Sequence, residues 1–215
     1  MYYLLWALPG KIFAIIIGFI YLRKLPLAYR LILLQVVLAI SAELYGRQLA
    51  KYSVHNAWVF NIYNLSDLIL TGTVAGLLLG KVKYASIAYY LVAIMCIFWS
   101  IEVYVYGIHH LASLFFTGSC IVLALLYIWL LYSKLLFTKK ILKEPVFWLS
   151  ISVILYFGCC LPYFGLYNYL IAHEYVIAKK LMNINRVLNF LRYPLIGVCF
   201  IIAAKKYDRI TQTGN

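Results

Sequence analysis

Four charged residues interrupt otherwise apolar runs: Glu43, Asp67, Glu102 and Arg192. A charge at bilayer depth costs a few kcal/mol, so such residues face a bundle interior and mark sites of ion or ligand binding. Their spacing extends them into polar faces. Asn61, Asn64 and Asp67 recur every three residues, which puts them on one side of a helix. Asn185, Asn189 and Arg192, spaced four and three, share a face near the C-terminus, and Trp99, Glu102 and Tyr106 share a third face. Glu43 and Arg47 form an i, i+4 pair. Together they predict an ion-pair network inside a membrane bundle. The candidate ligand-binding cluster is Glu43, Asn61, Asn64, Asp67, Glu102, Asn189 and Arg192. The competing reading is mechanical: polar side chains also hold transmembrane helices together.

The elements that must position these residues are transmembrane helices. Of the 215 residues, 66% are hydrophobic and 12% charged. Soluble chains are about 45–50% apolar and about 25% charged, so this chain lacks the residues for a wetted surface. Seven segments approach the roughly 20 apolar residues that a spanning helix needs. They cover about residues 3–22, 26–45, 57–79, 84–106, 111–132, 145–166 and 187–204. The runs are too long and too continuously apolar for barrel strands. The first segment, from Tyr3, is weakened by Pro9, Gly10 and Lys11. The fold expected is an all-α, seven-span bundle forming a single transmembrane domain over residues 1–215.

Orientation follows from the cationic loops, which stay cytoplasmic. Connections one, three and five and the C-terminal tail carry Arg23, Lys24, Arg30, Lys81, Lys83, Lys134, Lys139, Lys140, Lys143, Lys205, Lys206 and Arg209. The opposite side carries Lys11, Arg47, Lys51, Lys179, Lys180 and Arg186. The N-terminus is therefore expected outside and the C-terminus inside. Asp67 then lies about 15 Å along helix three, near the midplane. Glu43, Glu102 and Arg192 fall in the outer half, and Pro162 and Pro194 stand where kinks would widen a cavity.

The net charge of +13 is accounted for by these loops, and no basic stripe suited to nucleic acid is present. The five cysteines all lie in apolar runs and do not form a disulfide framework. His109, His110 and His173 are weak metal candidates in outer connections, without an H-x-x-x-H spacing. No metal or cofactor is expected.

The segments YLRKL, SAELYG, NAWVFNIYNLSDLIL, KEPVFWLSISVILYFG and RVLNFLRYPLIGVCF occur in this order over most of the chain. This order resembles an uncharacterised family of small bacterial seven-helix integral membrane proteins. Members of that family often carry glutamate where Asp67 stands, and serine, glycine and asparagine where Gly158, Cys159 and Cys160 stand. The resemblance implies a seven-helix fold, a bacterial inner (plasma) membrane and no particular activity.

Three functions compete. A sensor or receptor-like module would bind a small ligand from outside and signal through a separate cytoplasmic partner. A small-solute or ion-coupled transporter would use Asp67 as its midplane site. A structural membrane protein would use its polar residues only to pack helices in lipid. An intramembrane enzyme ranks below these, because no nucleophile constellation has recognisable spacing. Helix seven also has no mid-span lysine for a retinal Schiff base.

Overall fold

The computed structural model describes residues 7–80, 85–135, 138 and 140–213, and every regular element among them is helical. The expected span starts at Tyr3 and Tyr84, and Lys81, Lys83 and Lys139, lie outside the described residues. Seven α-helices follow in order: α1 (Ala7–Ile20), α2 (Leu27–Lys51), α3 (Ala57–Leu79), α4 (Ser86–Tyr106), α5 (Ser113–Leu135), α6 (Pro145–His173) and α7 (Tyr175–Thr213). The chain is an all-α helical bundle with membrane-spanning character. Six helices, α2 to α7, are long and apolar enough to cross a bilayer. The described part of α1 is apolar but only 14 residues long.

Local chemistry sets the ends. Pro26 immediately precedes α2, and Pro145 opens α6, where a missing N–H leaves no donor unsatisfied. Gly80 and Gly107 close α3 and α4 at φ values of 57° and 82°, a region open to glycine without steric cost. Pro9 and Gly10 do not break α1, because the helix runs through both. Gly10 instead permits close approach: a Cβ there would lie 3.1 Å from both the Phe190 carbonyl and the Pro194 ring. Pro194 has no N–H to give that carbonyl, so a small residue opposite it is the natural neighbour.

The sixth connection differs from expectation. A loop over roughly residues 167–186 was expected, but α6 continues to His173 and α7 begins at Tyr175, leaving Glu174 as the link. His173, Lys179, Lys180 and Arg186 therefore belong to helices. No glycine or proline stands between Leu166 and Tyr193 to stop either helix. Apolarity identifies the part of a helix that lies in lipid, and it misses polar turns beyond it. At 39 residues α7 is about 58 Å long, more than the roughly 40–45 Å of a whole bilayer.

The helices α1, α2, α3, α5, α6 and α7 form a closed ring, each touching the next. α4 packs outside it against α3 and α5 and buries only Ala88, Val92, Met95 and Glu102. At the basic end, Lys24 donates to Asp208 at 2.8 Å and Lys206 to Glu144 at 2.7 Å. The hydrogen bond to Asp208 raises the Lys24 pKa above its ordinary 10.5. On the alkaline side the link therefore lapses only as pH rises through that raised value.

Candidate functional site

Asp67 is positioned by the middle of α3 and Arg192 by the middle of α7. The guanidinium donates from Nη1 to Asp67 Oδ2 and from Nη2 to Oδ1, both at 3.1 Å. The side chains are 3% and 1% exposed, so water does not solvate the pair. Two parallel charge-assisted bonds are the geometry in which arginine holds a carboxylate best. Hydroxyls complete the carboxylate's shell. Thr71, one turn along α3, donates to Oδ1 at 2.9 Å, and Tyr63, one turn before, reaches Oδ2 at 3.5 Å. Gln35 from α2 donates to the Tyr63 hydroxyl, and Tyr127 from α5 donates to the Thr71 carbonyl.

The arginine is also packed by rings. Its Cζ lies 4.7 Å from the Tyr156 centroid, 4.9 Å from Phe157 and 5.8 Å from Tyr193. Such faces stabilise a cation where water is excluded. Asn189 touches this shell through a long 3.5 Å bond to the Tyr156 hydroxyl. Asn185, one turn nearer the start of α7, accepts from Cys160 at 3.0 Å.

Glu43 belongs to a second group, toward the α2–α3 end of the bundle. One carboxylate oxygen accepts from Lys11 of α1 at 2.5 Å, and the other accepts from Arg47. Lys11 is 5% exposed and sits 5.0 Å from the centroid of Tyr193, the ring that also packs on Arg192. The two ion groups are therefore joined through one aromatic side chain. Lys11 is the residue that sequence reasoning missed as a site member. Its position was the available signal: Lys11 stands early in α1 and Glu43 late in α2, and a short connection between the two helices brings them level.

Asn61 and Glu102 do something else. Asn61 donates to the carbonyls of Ile108 and His110, each at 2.8 Å, and accepts from the Ala112 amide at 3.0 Å. It clamps the α4–α5 connection to α3. Glu102 accepts from the amides of Leu114 at 3.2 Å and Phe115 at 2.6 Å, at the start of α5. A carboxylate there satisfies orphan N–H groups and complements the positive helix end. These two bonds add a polar tie to the packing of α4 on the ring. Asn64 is half-buried and takes part in none of these bonds. The expected seven-residue cluster is thus divided. Asp67 and Arg192 meet, Asn189 is nearby, Glu43 joins through Lys11, and Asn61 and Glu102 serve the α4–α5 connection.

Asn61→Ala removes three bonds at once and is expected to lower stability by about 2 kcal/mol, since each is worth roughly 0.5–1.5 kcal/mol net. Chemical denaturation in detergent measures it. A loss below a few tenths of a kcal/mol would show that the clamp is idle.

The weak metal candidates stay apart. The His110 ring packs on Tyr106, and the His173 ring stacks on Tyr169 at 4.6 Å, while His109 is exposed. Among the described residues, no three His, Cys, Asp or Glu side chains are grouped to hold a metal. A cavity of about 270 Å³ lies between α2 and α3, lined by Leu38, Tyr45, Trp58, Ile62 and Tyr63 among others. Its lining is apolar, and of the network only Tyr63 reaches it.

Fold and site define a multi-pass helical membrane protein built around two linked ion groups, one buried and one partly exposed. No protein-family model, curated protein or solved structure matches the chain.

Proposed function

We propose that the chain is a small sensor or receptor-like module. It spans a bacterial plasma membrane seven times, with its N-terminus outside, and passes its signal to a separate cytoplasmic protein. The observation that carries this reading is the one-sided reach of the charged network. Glu43 and Arg47 are 20% and 24% exposed at the outer end, and the chain of contacts runs inward through Lys11 and Tyr193 to Arg192 and Asp67. There it stops. Below Thr71, α3 buries Val74, Ala75 and Leu79. Leu126 and Leu130 of α5, Leu149 and Val153 of α6 and Phe200 and Ala203 of α7 complete a largely apolar floor, interrupted by Ser150 and Ser152.

A carrier needs a polar path to both faces, so this floor favours sensing over transport. The network also suits signal transmission, because it draws on every helix of the ring. A ligand that repositions Glu43 acts on α1, and through Tyr193 on α7, whose far end carries Lys205, Lys206 and Arg209. Counting α1 as a span rests on its apolar run, which begins at Tyr3 in the sequence, and on its close seat beside α7.

A thermal-shift panel of small water-soluble anions, cations and neutral compounds tests the reading on wild type and Glu43→Gln. At least one compound is expected to raise the wild-type midpoint saturably and leave the variant's unchanged. Identical responses across the panel would contradict it and favour a purely mechanical network.

A further inference from the structure

We infer that the cavity between α2 and α3 binds a neutral lipophilic alcohol taken from the bilayer. The inference goes beyond the sensing reading and uses neither Glu43 nor Arg47. Two contacts between the helices bound the space. At one end the rings of Tyr45 and Trp58 meet edge to face, with centroids 5.8 Å apart. At the other, the Gln35 amide donates to the Tyr63 hydroxyl at 3.1 Å. Between them the facing residues are apolar or small, Leu38, Ser41 and Ala42 on α2 and Val59, Ile62 and Ser66 on α3, which leaves about 270 Å³ open.

A cavity of about 150 Å³ already holds benzene, so this one admits a longer alkyl chain or a larger ring. No described residue lining it is charged, and the Ser66 hydroxyl donates to the carbonyl of Ile62 one turn back. The lining therefore suits an uncharged hydrocarbon body. Ser41, Tyr45 and Ile62 are exposed at the rim, and all three stand within apolar spans, so the opening faces lipid.

Gln35 specifies the polar tip. It is 1% exposed and stands one turn before Leu38 on the face of α2 that lines the cavity. Its Nε2 is engaged with Tyr63, but its Oε1 has no hydrogen-bond partner among the described residues. A buried acceptor of this kind is costly. Oε1 shares a carbon with Nε2, so it too lies at the Tyr63 end of the cavity. A hydroxyl arriving there donates to it and completes the amide. A ketone, an ether or a plain hydrocarbon has nothing to donate, and a carboxylate would bring an unpaired charge into apolar surroundings. Tyr63 also reaches Asp67, so the occupant's hydroxyl stands one side chain away from the buried ion pair.

The test illuminates the full chain, in maltoside micelles, with a ten-carbon alcohol carrying a mid-chain diazirine. Labelled peptides are mapped by mass spectrometry. Label is expected to saturate and to concentrate on residues 38–45 and 58–66. Competing 1-decanol is expected to displace it at least about tenfold better than decane, the worth of roughly one buried hydrogen bond. Gln35→Leu is expected to abolish that preference. Ala42→Phe, which fills the cavity and leaves the bond between Gln35 and Tyr63 in place, is expected to abolish the saturable label. It keeps the test decisive should Gln35→Leu fail to fold. Label that spreads without saturation over the lipid-facing helices, or equal competition by decane, would overturn the inference and leave the groove as a seat for ordinary lipid chains. A Gln35→Leu variant that still prefers 1-decanol would overturn it too, by placing the hydroxyl elsewhere.

Discussion

Arg192→Met is expected to lower the stability of the bundle by about 3–5 kcal/mol, the cost of stranding one partner of a buried ion pair. The cost is not the worth of the ion pair itself. Removing the guanidinium strands Asp67 as a buried carboxylate with only the hydroxyls of Thr71 and Tyr63 for company. The complementary change makes the distinction measurable. An Asp67→Leu, Arg192→Met double variant removes both charges and is expected to recover most of the loss, because a desolvated pair often breaks even against apolar packing. Denaturation of the two singles and the double in detergent gives the coupling directly. Equal losses in all three would mean that the pair is held by packing around it, not by its charges.

Glu43→Gln is expected to cost about 3 kcal/mol, for the same reason at a wetter site. Lys11 is nearly fully buried, and Glu43 is its anionic partner. A neutral amide leaves the ammonium in place without a counter-charge. Adding Lys11→Met to Glu43→Gln is expected to restore about half of that loss or more, although Arg47 still lacks its i, i+4 partner. The same denaturation series checks it. A double variant no more stable than Glu43→Gln alone would show that Lys11 is not the group being stranded.

Much of this was legible in the sequence, for identifiable reasons. The long apolar runs predicted the helices, and the prolines predicted two helix starts. The stripe ending in Asp67 predicted an inward polar face. Depth along the helices put Asp67 near the midplane and Arg192 in the outer half, and the structure joins them directly. The misses have physical causes too. Span lengths were read from apolarity, so the polar turns of α6 and α7 were assigned to a loop. Lys11 looks like a flaw in α1 from the sequence, because the carboxylate that neutralises it lies on α2. Asn61 shares a helical face with Asp67, and Glu102 is an acid within a span, but both bind backbone. Their partners are amides and carbonyls of the α4–α5 connection, which side-chain spacing cannot register. The apolar groove between α2 and α3 is lined by ordinary span residues such as Leu38, Ile62 and Trp58, and no residue pattern announces it.

The central claim is that the charged network opens outward above a closed floor. Cysteine accessibility in oriented vesicles tests it most directly, after replacing the five native cysteines. Glu43→Cys is expected to react with a membrane-impermeant thiol reagent from the outer side. Val74→Cys, one turn below Thr71, is expected to react from neither side. Labelling of Val74→Cys from the inner face would reveal a polar path through the floor and contradict a sensing site in favour of transport.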